Sequence, residues 1–155
     1  MWTLASTWLS GSATTDFGVP DVIPARDGCA LDAAEAARQA AIVEAAWSVL
    51  GAVAAKAPAA LRKGTRGGGR DRDEVVTHVV GAEISYARKI GVRHRGLKAD
   101  DGAGIAAMRQ EVLGVLLAAR SAQVVVEKGW PPRYAARRVA WHVLDHAWEI
   151  EDKST

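Results

Sequence analysis

An all-α four-helix bundle preceded by an extended N-terminal arm is the fold this sequence predicts. Three observations carry that expectation. Four windows of roughly 18–25 residues place apolar side chains three and four apart, the length and period of bundle helices. Three of the windows open on Asp or Pro, and three close on Gly or Pro. Beyond the arm, no alternating apolar–polar run is long enough to read as a strand.

Residues 1–31 form the arm. Gly11, Gly18, Gly28, Pro20 and Pro24 interrupt it too often for a helix, although a short helical turn is expected near Trp8. Trp2, Trp8 and Phe17 predict that the arm packs on something; the plainer alternative is the remnant of a longer N-terminal region.

Residues 32–155 form the bundle. Asp32 followed by Glu35 resembles a capping box and starts the first helix, which carries Ile42, Val43, Trp47 and Leu50 and ends near Lys56, before Pro58. Arg62 to Arg70, with Gly67-Gly68-Gly69 inside it, is a loop. Asp71 or Asp73 caps the second helix, which continues to about Ile90 and stops at Gly91. The linker Gly91–Gly104 is long enough to span the bundle and let the second and third helices run parallel. The third helix is expected from Ile105 to Lys128, ended by Gly129. Pro131 and Pro132 suit the first turn of the fourth, which runs through Arg133 to about Glu151.

Composition bounds the function without naming it. The chain has 155 residues, 49% hydrophobic and 25% charged, enough to bury a core without metal or disulfide. A single cysteine, Cys29, excludes an internal disulfide and fits a reducing cytoplasm. Lys plus Arg number 20 against 18 acidic residues, so the net charge of +2 implies neither a nucleic-acid nor a membrane partner. Residues 1–25 contain no Lys or Arg, which excludes the basic start of a secretory signal. The apolar stretch Ala45–Ala55 is interrupted by Ser48 and Gly51 and is too short to span a membrane. A soluble cytoplasmic protein is expected.

The chemistry gathers on histidine. The sequence has four, and two form His142-Val-Leu-Asp-His146 on the fourth helix. A spacing of four puts both imidazoles on one face, a turn apart, close enough to share a metal ion. That face also carries Val139 and Ile150. On the second helix Val75, His78, Val79, Ala82 and Tyr86 fall on one stripe, so His78 is expected on the inward side. The two groups come within about 5 Å of the same height at 1.5 Å rise per residue. Three inward histidines each require a buried partner, which a common metal supplies. The alternative is a pair of packed histidines bonded to neighbours, plus an incidental third.

Thr77-His-Val-Val-Gly-Ala-Glu83, followed by Arg138-Val-Ala-Trp-His-Val-Leu-Asp-His-Ala-Trp-Glu-Ile-Glu-Asp152, resembles the DinB/YfiT-like superfamily of metalloenzymes. The resemblance covers about Asp32 to Asp152 and leaves the arm unexplained. It implies an up-down-down-up bundle in which His78, His142 and His146 hold a divalent ion such as zinc or nickel. Some relatives are thiol-dependent transferases or isomerases using mycothiol, bacillithiol or glutathione, so it further implies a small-molecule substrate and a low-molecular-weight thiol such as mycothiol. Three protein ligands leave a fourth position for water or thiolate, as catalytic zinc sites do.

Around this set, Glu149 lies on nearly the same stripe as His142 and is the candidate catalytic residue, as histidine orienter or general base. Asp145, Glu83 and Tyr86 are further candidates, with a solvated helix face as the alternative. The basic loop before the second helix makes Arg66 and Arg70 candidate cofactor-binding residues for a carboxylate or phosphate. It lacks the spacing of a nucleotide-binding loop, and solvated loop is the alternative. Trp141, Leu144 and Trp148 form a stripe expected in the core or at a homodimer seam. His94 is expected to be exposed, and nothing near Cys29 predicts an activated thiolate. The leading expectation is a metal-dependent transferase, isomerase or hydrolase. Its rival is a non-catalytic dimeric interaction or stress-associated protein; a nucleic-acid module is weakest, because one basic loop releases few counterions.

Overall fold

The computed structural model describes residues 23–65, 67–121 and 123–154. They form four α-helices around one hydrophobic core, as a four-helix bundle does: α1 (Ala33–Lys56), α2 (Arg72–Lys89), α3 (Gly102–Ala118) and α4 (Pro132–Lys153). No strand occurs among the described residues. A 3-10 helix, Ala25–Gly28, precedes α1, so this part of the arm is not simply extended. Pro24 sets up that turn, its carbonyl accepting from Asp27 N at 2.9 Å. The rest of the arm, with the turn expected near Trp8, lies outside the described residues.

The helix starts follow from short polar side chains taking up orphaned N–H groups. Asp32 accepts from Glu35 N at 2.7 Å and opens α1. The box is not closed, because the Glu35 carboxylate pairs instead with Arg38 and with Arg133 of α4. Asp71, not Asp73, caps α2 in a capping box: Asp71 N donates to Glu74 Oε2 at 2.7 Å. Asp101 accepts from Gly104 N at 2.9 Å, so α3 begins at Gly102, ahead of the expected Ile105. The sequence pattern extends α3 to Lys128; the helix stops at Ala118. There Arg120 folds back, its Nη1 donating to Leu117 O at 2.7 Å and Ala119 O at 2.8 Å, and its own carbonyl accepts from Leu31 N. The last carbonyls of α3 are thereby capped by a cation rather than by another turn. Pro132 stands in the first turn of α4, where its missing N–H costs nothing.

Hydrogen bonds between helix ends fix which ends meet. The Glu35–Arg133 ion pair joins the starts of α1 and α4. Arg62 N donates to Lys153 O at 2.9 Å, tying the chain after α1 to the end of α4. Arg72 Nη1 donates to Ala57 O at 3.0 Å, so α2 starts where α1 ends. Trp130 N donates to Lys89 O at 2.9 Å, so α2 ends where α4 starts. Space there is tight: a Cβ on Gly129 would meet the Lys89 carbonyl and come within 2.8 Å of Val126 O.

The broadest packing is α4 on α1, followed by α1 on α3 and α2 on α4. Small residues carry it, with Ala40 and Ala46 of α1 in one core with Ala136, Ala140 and Ala147 of α4. Among the described residues, no helix is long and apolar enough to cross a membrane.

Candidate metal centre

The seam between α2 and α4 brings the three histidines together. The candidate ligand atoms of His78, His142 and His146 all lie within 4.8 Å of one another. His142 and His146 are one turn apart on α4, with ring centroids 4.6 Å apart. The His78 ring lies 5.4 Å from His142 and 4.8 Å from His146. The two α4 histidines are buried as their stripe predicts, but His78 is only half-buried. It stands at the edge of the seam, not in the core, and so gives the cluster a side open to solvent.

The donor set fits a borderline divalent ion. Two nitrogens on one tetrahedral zinc at 2.0–2.1 Å lie about 3.3 Å apart, so small rotations of the rings bring the observed cluster to ligating distance. The bonding around the rings points the same way. His142 Nδ1 is buried with no hydrogen-bond partner among the described residues, a costly state for a neutral imidazole. His146 Nδ1 lies 2.7 Å from Glu149 Oε2, which leaves its Nε2 free to ligate. Glu149 is held in turn by Lys153, whose Nζ donates to Oε1 at 2.6 Å.

Electrostatics favour the neutral form of His142 and His78, the state a metal requires of its ligands. Burial, followed by the neighbouring charges of His146, His78, Arg138 and Arg70, pushes His142 down to about 3. Burial, then Arg70 and His146, also lowers His78. Burial alone would raise the Glu149 carboxyl, but the hydrogen bonds from Lys153 and His146 outweigh it and hold the group below its ordinary value.

The remaining candidates separate clearly. Arg70 is exposed, and its charge reaches both His78 and His142. Arg66 lies outside the described residues. The other basic residues of that stretch are engaged structurally. Arg62 Nη2 donates to Asp152 O at 2.8 Å at the C-terminus of α4, Lys63 pairs with Asp71, and Arg72 pairs with Asp73. Asp145 is exposed. Glu83 is buried away from the cluster in a bidentate pair with Arg109, and is structural. Tyr86 does reach the cluster, its ring edge-on to His142 at 5.5 Å and backed by Trp130 at 5.1 Å. The half-buried His94 is not free in its loop but lies 3.1 Å from Glu111. Trp141 and Trp148 are outside the core, 43% and 59% exposed. Lys153 is the residue that the sequence reading missed; its spacing of four from Glu149 was the available signal.

Searches against protein-family models, curated proteins and solved structures find no match to this chain.

Proposed function

We propose that this chain is a DinB-like metal-binding bundle in which His78, His142 and His146 hold one zinc or nickel ion, and that it acts as a metal-dependent enzyme on a small molecule. The observation that carries the reading is the convergence of three imidazoles whose candidate ligand atoms lie within 4.8 Å of one another, one of them, His142, with a buried Nδ1 that has no hydrogen-bond partner among the described residues. The up-down-down-up order belongs to the same reading. It is supported by the bonds that join the starts of α1 and α4 and turn α2 back between them.

Bound there, the ion supplies a Lewis acid with one open position, able to lower the pKa of water or of a thiol. The chain's own residues do the positioning. Glu149 fixes the His146 ring through Nδ1, and Lys153 fixes Glu149. Tyr86 and Trp130 wall one side with aromatic surface. The half-exposed His78 leaves the approach open, and Arg70 adds positive charge there for a substrate or thiol carboxylate. Transferase or isomerase chemistry with a low-molecular-weight thiol such as mycothiol ranks ahead of hydrolysis. A cytoplasmic location belongs to the same proposal.

The test is elemental analysis of untagged protein, wild type beside His142→Ala, with circular dichroism on both. About one zinc or nickel per chain is expected in the wild type, lost in the variant while helix content stays. No metal in the wild type after incubation with either ion overturns the reading and leaves the interaction-protein alternative in the lead.

A further inference from the structure

The α1–α4 side of the bundle carries an apolar face that stays largely exposed among the described residues, with the Arg138 guanidinium 4.8 Å over the Trp141 ring as partial cover. Trp141 and Trp148 on α4 are 43% and 59% exposed, and Ile42 and Val49 on α1 are 46% and 42% exposed. Each pair is spaced by seven, so each marks one stripe along its helix. The α4 stripe begins earlier, as Arg133, Arg137, Trp141, Leu144 and Trp148.

Its first two members already hold the segment ahead of α1. Arg133 pairs with Glu35 and donates to Ala30 O at 3.3 Å, and Arg137 pairs with the buried Asp27. Moving backwards along the chain, from Glu35 to Ala30 to Asp27, moves forwards along α4, from Arg133 to Arg137. The direction set by those contacts leads next to Trp141, Leu144 and Trp148.

We propose that residues 1–22 continue along this line and cover the exposed face of α4 and α1, independently of the metal reading. The reach is sufficient. From Arg137 to Trp148 the helix rises about 17 Å at 1.5 Å per residue; the 3-10 turn from Asp27 back to Ala25 covers about 4 Å of it, and about four extended residues beyond that cross the rest at roughly 3.3 Å each. Counting back from Asp27, about six residues span that distance, so Val22 comes within reach of the tryptophans, and Val19, Phe17, Trp8 and Trp2 follow further upstream in the sequence. Charge agrees. The only charged side chains in residues 1–22 are Asp16 and Asp21, while Arg38 and Lys56 flank Ile42 and Val49 on the same stripe of α1. The occupant is therefore the chain's own N-terminal segment rather than a second copy.

Limited chymotrypsin digestion of the full chain tests this, with the cut after Phe17 followed by mass spectrometry and solution mass by light scattering. Three variants loosen the contact from different sides: Trp148→Ser on α4, Val49→Asp on α1 and Val22→Asp in the segment itself. Leu117→Ser, on the exposed side of α3, is the control. All five proteins are expected to be monomers with the same helix content. The three variants are expected to be cut about tenfold faster than wild type, the shift that loss of one buried apolar side chain gives a docked population. The control is expected to match wild type. Val22→Asp leaves the sequences of α1 to α4 unchanged, so the test survives if a helix variant fails to fold. Equal cutting of all five overturns the proposal. So does a wild-type dimer that Val49→Asp dissociates with the cutting rate unchanged, since the occupant is then a second copy.

Discussion

Arg109→Met leaves a buried carboxylate without its cation, and the cost follows from the geometry. Glu83 on α2 is 3% exposed and receives three contacts from Arg109 of α3, at 3.0, 3.0 and 2.9 Å. The guanidinium also lies 4.9 Å over the Trp47 ring. Burial raises the Glu83 carboxyl; the charge and hydrogen bonds of Arg109 oppose this, as does Trp47, whose Nε1 is buried nearby without a fully formed hydrogen bond. Removing one member of such a pair costs about 3–5 kcal/mol when the other stays charged. The variant has a cheaper escape, because Glu83 can fold protonated. Neutralising it from an ordinary value of 4.5 costs about 3.4 kcal/mol at pH 7 and about 1.4 at pH 5.5. The sign follows: a folded value above the unfolded one gives stability that is complete below 4.5 and lost as pH rises through the folded value. Urea denaturation of the metal-free protein, followed by circular dichroism, should therefore show Arg109→Met about 3 kcal/mol below wild type at pH 7, with the gap roughly halved at pH 5.5. Glu83→Met with Arg109→Met should recover to within about 1 kcal/mol of wild type, since apolar replacements of both partners cost little. A deficit under about 1 kcal/mol at pH 7, or one that does not shrink with acid, would refute the claim that Glu83 is desolvated and paired.

Two further outcomes concern the histidine cluster. Glu149→Gln should weaken zinc or nickel affinity about 10-fold and Glu149→Ala nearer 100-fold, because the carboxylate orients His146 through Nδ1. Competition with a chelator measures this, and affinities within about twofold of wild type would show that Glu149 only packs. The metal-free protein should lose stability as pH falls below 6.5: unfolded His142 takes a proton that the folded ring, held to about 3, refuses, and His78 is lowered in the same sense. Urea midpoints between pH 7 and 5 should give a slope of up to about 1.4 kcal/mol per pH unit from His142, absent in His142→Leu. An unchanged slope in that variant would mean the ring is not buried neutral.

Three of the four helix starts and the shared face of His142 and His146 were legible because they rest on local chemistry. Asp32, Asp71 and Pro131 mark starts through backbone groups within a turn, and the spacing of His142 and His146 fixes their common face. The end of α3 was not legible. Nothing between Leu116 and Gly129 breaks a helix by composition; Arg120 does so, with Leu31 brought beside it only by the tertiary fold. His78 was placed inward from its stripe, but a stripe gives direction and not depth, and the edge of the seam leaves it half-exposed. Trp141 and Trp148 misled for a related reason. Helix α4 carries two apolar stripes, and the one of small residues, Ala136, Ala140, Val143 and Ala147, packs inward and leaves the bulky one outside.

That choice of stripe also decides where three imidazoles can gather. Close packing of α1 on α4 through alanines leaves no room for three imidazoles on that side. The α2–α4 seam is different: α2 brings Val75 and Val79 to the core and carries the half-buried His78 at the border of that face, beside His142 and His146. Gathering three imidazoles there, with His142 Nδ1 buried and unpartnered among the described residues, is unfavourable for the metal-free chain, and the protein sustains it by anchoring α2 elsewhere. Asp71 and Arg72 fix its start to the chain after α1, Glu83 joins it to Arg109 of α3, and Lys89 joins its end to Trp130. The cluster is thus held by bonds that do not involve the histidines. This is why His142→Ala is expected to remove a bound ion without unfolding the bundle, and why retained helix content is the informative control in that experiment.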